Sequence, residues 1–428
     1  MNGVEKRMRS FDAIVLGAGI TGTSAALHLQ GRGLRVLLVD RDAPGEDATR
    51  GNDGLIGRDA YCPPVVPLTL PGILAGALTR RRGFGIDSRS LPDLARFFAE
   101  CRLSAQPAAV ARAARALAPL QAVAAAEHLA LARAASALRF FRRTGWIKLL
   151  RSPRARELAE VDRHFARILG VPYADLDAVE IVRLEPHLRS LEEAAIYWPE
   201  SQSVSSPGGV TKAYGRLFRE RGGEVEIGDA ATLLDTRRGY ALRTVRGEVG
   251  APIAVLALGA GISPVLARFG LTMPLAACRT YHRHFRAVSG VSLTRPVTDQ
   301  ESGFTLTPME RGLRLVGGTE LMSTARALSG VPVRANALHR AASIAKGLLP
   351  LGSAVEDLPV AGVRVFVPDQ LPIVGEMPGM PGLWLSVGHM RDGFSLAPAM
   401  ARLLADLVTD MLPLADPQPY SPSRFLVG

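Results

Sequence analysis

The chain has 428 residues, 47% hydrophobic and 21% charged, which is enough for about two folded domains and excludes a disordered or fibrous polymer. Its formal charge is +11, yet among the 51 basic residues only Lys6, Lys148, Lys212 and Lys346 are lysines, and no basic run alternates with aromatics, so the charge is an arginine-rich composition and not a nucleic-acid face. Cys62, Cys101 and Cys278 are too scattered for a disulfide framework or a thiolate metal site, which suits a reducing, cytoplasmic setting.

The segment Met1 to Ser10 lacks the apolar core of a secretory signal. Phe11 to Leu16 then reads as one buried strand running into Gly17-Ala18-Gly19-Ile20-Thr21-Gly22, with a helix from Thr23 to Gln30. Glycines in this pattern permit a tight turn, a close approach of backbone to a pyrophosphate, and close packing of helix on strand, so the motif predicts a dinucleotide site. A second strand, Leu34 to Val39, ends at Asp40, eighteen residues past Gly22, where a carboxylate can take ribose hydroxyls. The small residues of Ala48-Thr49-Arg50-Gly51-Asn52-Asp53-Gly54-Leu55-Ile56 suit a loop bordering the far half of the ligand.

The uncharged stretch Ala60 to Thr79 carries Pro63, Pro64, Pro67 and Pro71 and is no membrane-spanning helix. Its apolar end, flanked by Arg80-Arg81-Arg82, suits either the protein's own surface or peripheral contact with a bilayer. Residues 91 to 143 read as helical, Gly145 to Leu150 as a strand, Pro153 to Leu169 as an amphipathic helix and Ala194 to Trp198 as a strand. From Pro207 a helix, a short strand (Glu224 to Ile227), a hairpin (Tyr240 to Val249) and a buried strand (Ile253 to Leu258) follow. The last ends in Gly259-Ala260-Gly261, where Pro264 replaces the third glycine of a second fingerprint; a return to the first sheet is the reading it supports. Arg279 to Phe285 is a strand with His282 and His284 on one face, without a third ligand nearby for a metal. Gly312 to Glu320 is a further strand, Gly362 to Gly375 an arginine-bearing loop, and Leu383 to Val387 a strand. Gly388 to Pro398 opens a final helix whose N-terminal amides suit a developing negative charge.

Taken together, Gly-Ala-Gly-Ile-Thr-Gly, Asp40-Arg41, Asn52-Asp53-Gly54, Val255 to Ser263, Gly362-Val363-Arg364 with Pro368-Asp369 and Pro372 to Gly375, and Gly388-His389-Met390-Arg391-Asp392-Gly393 resemble, in order, the D-amino-acid oxidase superfamily of FAD-dependent oxidoreductases. The bacterial D-amino-acid dehydrogenase and glycine oxidase group is the nearest in pattern. The resemblance implies an α/β chain. A Rossmann-like FAD-binding domain would be discontinuous (9–90, 203–272 and 350–428), and a mixed β-sheet, α+β substrate domain would take 91–202 and 273–349.

It also implies non-covalent FAD, bound by Gly17, Gly19, Ile20, Thr21, Gly22, Asp40, Arg41, Ala48, Thr49, Asn52, Asp53, Gly54, Leu55, Ala231 (at the adenine), Gly259 and the segment His389, Met390, Arg391, Asp392, Gly393, Phe394, Ser395. Arg364 and Arg391 would hold a substrate carboxylate, with Tyr281 beside them. The implied reaction passes a hydride from the α-carbon of an amino acid to the flavin and releases a 2-oxo acid and ammonia, with no protein base. Electrons would go to a quinone or carrier. Glycine, sarcosine or an opine as substrate, and a non-catalytic FAD-binding subunit of a larger oxidase, stay open as alternatives.

Overall fold

The computed structural model describes residues 8–46, 48–59, 68–78, 84–189, 194–334, 336 and 338–426. Strand Ala13–Leu16 is buried along its whole length, as an apolar run without alternation requires of a strand covered on both faces. Ala13 and Val15 face one core and Ile14 and Leu16 another, by the period of two. It lies inside a six-stranded sheet in the order Glu224–Ile227, Val36–Asp40, Ala13–Leu16, Ile253–Leu256, Leu383–Val387, Ile373–Glu376. The first five run parallel and the last antiparallel. Parallel strands end together, so their C-terminal edge forms the crevice in which open α/β sheets bind ligands.

One face of this sheet carries helices Ile20–Gly31 and Gly393–Val408, packed on each other, and helix Pro107–Ala134 lies against the second of them. The other face carries an antiparallel hairpin, Gly239–Thr244 with Gly247–Ala251. A larger, mixed sheet is built around Ala276–Ala287, Gly312–Met322 and Phe304–Met309 and continues through Val297–Asp299 to Trp146–Leu150, Ala194–Trp198 and Ala174–Leu176. Within it Lys148 is buried, and its ammonium lies 2.7 Å from the Asp162 carboxylate of helix Pro153–Leu169. Pairing is what makes a cation tolerable at that depth.

Some expectations change. Residues 362–375 are not a loop but two strands, Val360–Phe366 and Ile373–Glu376, joined by a turn. The first pairs antiparallel with Ala276–Ala287, a partner far along the chain that no local pattern announces. Strand Phe84–Ile86 likewise joins the larger sheet, beside Gly312–Met322. Segments 84–86 and 360–366, which the resemblance assigns to the FAD-binding domain, therefore pair into the larger sheet with strands it assigns to the other domain. Helix Pro107–Ala134, assigned to the substrate side, instead packs on Gly393–Val408.

Residues 60–67 and 79 of the apolar stretch, and Arg80 to Arg82, lie outside the described residues. Its helix Leu70–Leu78 is described, and none of its residues is buried. Among the described residues no helix is long and apolar enough to cross a membrane.

Candidate functional site: a cavity at the strand ends

Gly17 has φ +106, and a Cβ on it would stand 2.4 Å from the Ala257 carbonyl oxygen; a Cβ on Gly22 would stand 1.8 Å from the Gly17 carbonyl oxygen. Glycine at both positions lets strand, turn and helix close on one another. The helix then starts at Ile20 with no acid in its first turn and no cap from its own N-cap residue, Gly19, so its positive end keeps amides for an anion. Asp40 braces the turn: Oδ2 accepts from the Ala18 amide at 2.5 Å and Oδ1 from the Arg41 amide at 2.6 Å. Thr49 Oγ1 accepts from the Ile20 amide at 3.1 Å, tying the 48–51 turn to the helix.

A cavity of about 400 Å³ opens along these groups. At its other end, strand Leu383–Val387 turns at Gly388, φ +75, into Met390, whose φ of +55 is unusual for a residue with a side chain. Backbone held in that region marks a site that the surroundings over-determine. The Phe394 carbonyl of the following helix accepts from His128 Nε2 at 2.7 Å, and the His128 ring stacks on Phe394.

Three buried polar atoms on residues that line this cavity have no hydrogen-bond partner among the described residues: Arg364 Nη2, Ser386 Oγ and His389 Nε2. Buried polar groups are nearly always paired, so this cluster fits a bound polar ligand. Burial lowers His389 to about 4, which keeps its imidazole neutral. The glycine turn, the open helix end, the braced carboxylate and these orphaned atoms together suit a long ligand with a phosphate middle and a polar ring system.

Of the residues expected to bind the cofactor, Gly17, Gly19, Ile20, Thr21, Asp40, Arg41, Thr49, Asn52, Ala231, Gly259, His389, Met390, Gly393 and Phe394 line the cavity, as does Arg364. Gly22, Ala48, Asp53, Gly54, Leu55, Asp392 and Ser395 are their chain neighbours outside the lining. Tyr281 is apart from it: the ring is buried in the larger sheet and its hydroxyl donates to Glu320 at 3.2 Å. His282 and His284 do not form a metal centre with other residues, and among the described residues no metal-ligating group assembles.

Arg391 also lies outside the lining. Its Nη2 donates at 2.7 Å to Asp59, and its guanidinium sits 5.6 Å from the Trp146 ring. Burial raises the Asp59 carboxyl, but the charges of Arg391 and Lys148 outweigh it and hold the group below its ordinary value. Asp392 moves the other way: burial raises it against the pull of Arg391, and Asp59 and Asp53 add to the rise. Sequence reasoning missed Asp59, which sits beside an uninformative proline-rich stretch. It also missed Leu328, which reaches the cavity from helix Thr324–Leu328 of the other sheet, and Ser386, hidden in an apolar strand.

Comparisons with known proteins agree with this geometry. The family described as FAD dependent oxidoreductase matches residues 12–407. D-amino acid dehydrogenase 2 of Ralstonia nicotianae is 30% identical over 440 aligned positions, covering 96% of this chain and 99% of that protein. Among solved structures, glycine oxidase from Geobacillus kaustophilus superposes with a TM-score of 0.72 at 21% identity, over 98% of this chain and 100% of that one. L-amino acid deaminase from Proteus myxofaciens, in complex with anthranilate, gives 0.75 at 15% identity, over 98% and 94%. At such identities these two likenesses concern the fold.

The buried histidines set an acid limit. His128 and His389 are lowered to about 4 and His282 to about 3, in each case chiefly by burial. Unfolded histidines titrate near 6.5, so between about pH 6.5 and 4 the unfolded chain binds more protons and stability falls as pH falls, by up to about 1.4 kcal/mol per pH unit for each histidine. The urea midpoint should hold steady above about pH 7.5 and drop markedly by about pH 5; an unchanged midpoint at the lower pH would contradict the neutral, buried state of these rings.

Proposed function

The chain belongs to the FAD dependent oxidoreductase family, and we propose that within it the protein is a dehydrogenase of D-amino acids that holds FAD without a covalent bond. Asp40 would take the adenosine ribose, the amides of Gly19, Thr21 and Gly22 the pyrophosphate, Ala231 the adenine, and the backbone around His389 to Ser395 the flavin ring. Of the described cysteines, neither Cys101 nor Cys278 lines the cavity, and burial pushes both thiols up to about 12, which leaves no thiolate for a link to the flavin. When bound, FAD supplies the hydride acceptor for the substrate α-carbon, and water then gives the 2-oxo acid and ammonia. The chain's own task is binding, orientation and exclusion of water.

The observation that carries the substrate reading is Arg364. It lines the cavity from strand Val360–Phe366 and presents a buried guanidinium nitrogen with no partner among the described residues. An incompletely paired, partly buried cation at the edge of a redox cofactor's site is suited to a carboxylate, the one anion that all amino acids carry. Arg391 is the second candidate clamp, but Asp59 already neutralises much of its charge. It would contribute less than Arg364. The family relative of similar length that is named a D-amino acid dehydrogenase favours that stereochemistry.

For the acceptor we favour a quinone or membrane-bound carrier over oxygen. Helix Leu70–Leu78 leaves Leu70, Leu74 and Leu78 exposed, a surface suited to an apolar partner or a bilayer face.

Two outcomes are expected. Arg364→Ala should lower kcat/KM for D-amino acids by the equivalent of roughly 2–4 kcal/mol with FAD content near normal, and Arg364→Lys should recover only part, because an ammonium lacks the planar fork. Loss of FAD with unchanged affinity for amino acids would make Arg364 a cofactor contact instead. Turnover with a quinone analogue should exceed turnover with oxygen alone; equal rates would overturn the acceptor assignment.

A further inference from the structure

Behind the turn that carries Thr49 and Asn52 runs a buried chain of polar contacts. Arg314, in strand Gly312–Met322 and only 6% exposed, donates from Nη1 to the carbonyl oxygens of Arg50, at 3.0 Å, and Asn52, at 2.5 Å. Its Nε donates to His284 Nε2 at 3.0 Å. A guanidinium can only donate, so His284 Nε2 accepts, and the neutral ring carries its proton on Nδ1. That nitrogen lies 2.7 Å from Glu356 Oε1, while Glu356 Oε2 accepts from the His284 amide at 2.8 Å. Arg311 meets Glu356 at 3.1 Å on the solvent side. Burial lowers Arg314 to about 10, against the opposing pull of Asp53 and Glu356, so it remains a cation at neutral pH.

The chain links the two halves of the molecule. Arg314, His284 and Glu356 belong to the larger sheet and its margin, while Arg50 and Asn52 belong to the turn that borders the cavity. On that turn Asn52 Oδ1 is already taken by the Gly54 amide at 2.7 Å, and a Cβ on Gly51 would stand 3.4 Å from the His282 ring. Among the described residues no donor other than Arg314 reaches the carbonyls of Arg50 and Asn52. Unpaired, they would turn towards other donors and take Thr49 and Asn52 with them.

We propose that Arg314, fixed by His284 and Glu356, is a positioning residue for FAD: it shapes the Thr49 to Asn52 wall from behind, without lining the cavity itself. This rests on FAD occupying the cavity. Cofactor retention is then set in part by the substrate sheet, and Arg314, His284 and Glu356 form a latch between domains.

The test is the rate at which holoenzyme releases FAD after dilution, followed by the fluorescence of free flavin. Arg314→Met should release FAD about tenfold faster or more, since it removes three hydrogen bonds from the latch. Arg314→Lys should fall between it and the wild type. Arg295→Met serves as the control, because Arg295 likewise donates to two backbone carbonyls, those of Thr144 and Leu184, but touches no residue of the turn. It should release FAD at close to the wild-type rate. Wild-type release from Arg314→Met would overturn the proposal, and so would equally fast release from Arg295→Met, which would signify general destabilisation. If Arg314→Met fails to fold, Arg314→Lys decides: faster release supports the latch and an unchanged rate rejects it. A wild type that carries no FAD would overturn the cofactor assignment itself.

Discussion

At Gly22 the space for a side chain on the helix is already filled by the carbonyl oxygen of Gly17, which stands 1.8 Å from where a Cβ would be. Helix Ile20–Gly31 can lie on strand Ala13–Leu16 only because residue 22 has no Cβ. That contact aims the positive helix end along the edge where five parallel strands finish, and the cavity follows from it. Asp40 on the neighbouring strand and Thr49 on the following turn are tied to the same backbone by hydrogen bonds to Ala18 and Ile20. The glycine-turn end of the cavity is thus braced before any ligand arrives, which lowers the ordering cost of binding.

Around the larger sheet the organising force is charge. Lys148 with Asp162 and Arg314 with the His284–Glu356 pair each place a buried cation against an acceptor in or beside the larger sheet, and the half-buried Arg391 meets the buried Asp59. A cation removed from water is tolerable only when paired, so these groups fix how the sheets meet. Arg364 departs from the pattern. It keeps a buried nitrogen beside the cavity with no partner among the described residues, which is the opening for the proposed carboxylate contact.

Legibility in the sequence followed the range of the interactions. The strand, glycine turn, helix and Asp40 are adjacent or separated by a fixed spacing, and their chemistry is local; they could be read directly, as could the final strand-to-helix junction at Gly388. Strand Val360–Phe366 looked like a loop because its glycine and arginine break the apolar run and its partner, Ala276–Ala287, lies far away. The pairing of Arg391 with Asp59 joins residues from opposite ends of the chain, and nothing around Asp59 marks it. His282 and His284 raised the question of a metal through their spacing alone; in the fold one packs on Gly51 and the other is held between Arg314 and Glu356. Spacing reveals a shared face, but the partners on that face come from elsewhere.

The central claim is that the glycine turn and the orphaned polar atoms around it are completed by FAD held through non-covalent contacts alone. Acid denaturation of the purified protein, with chromatography of the supernatant, tests this most directly. The account predicts intact FAD in the supernatant, equimolar with the chain. Flavin fixed to the precipitated polypeptide would contradict it, and so would a folded protein that contains no flavin and takes up none when FAD is supplied.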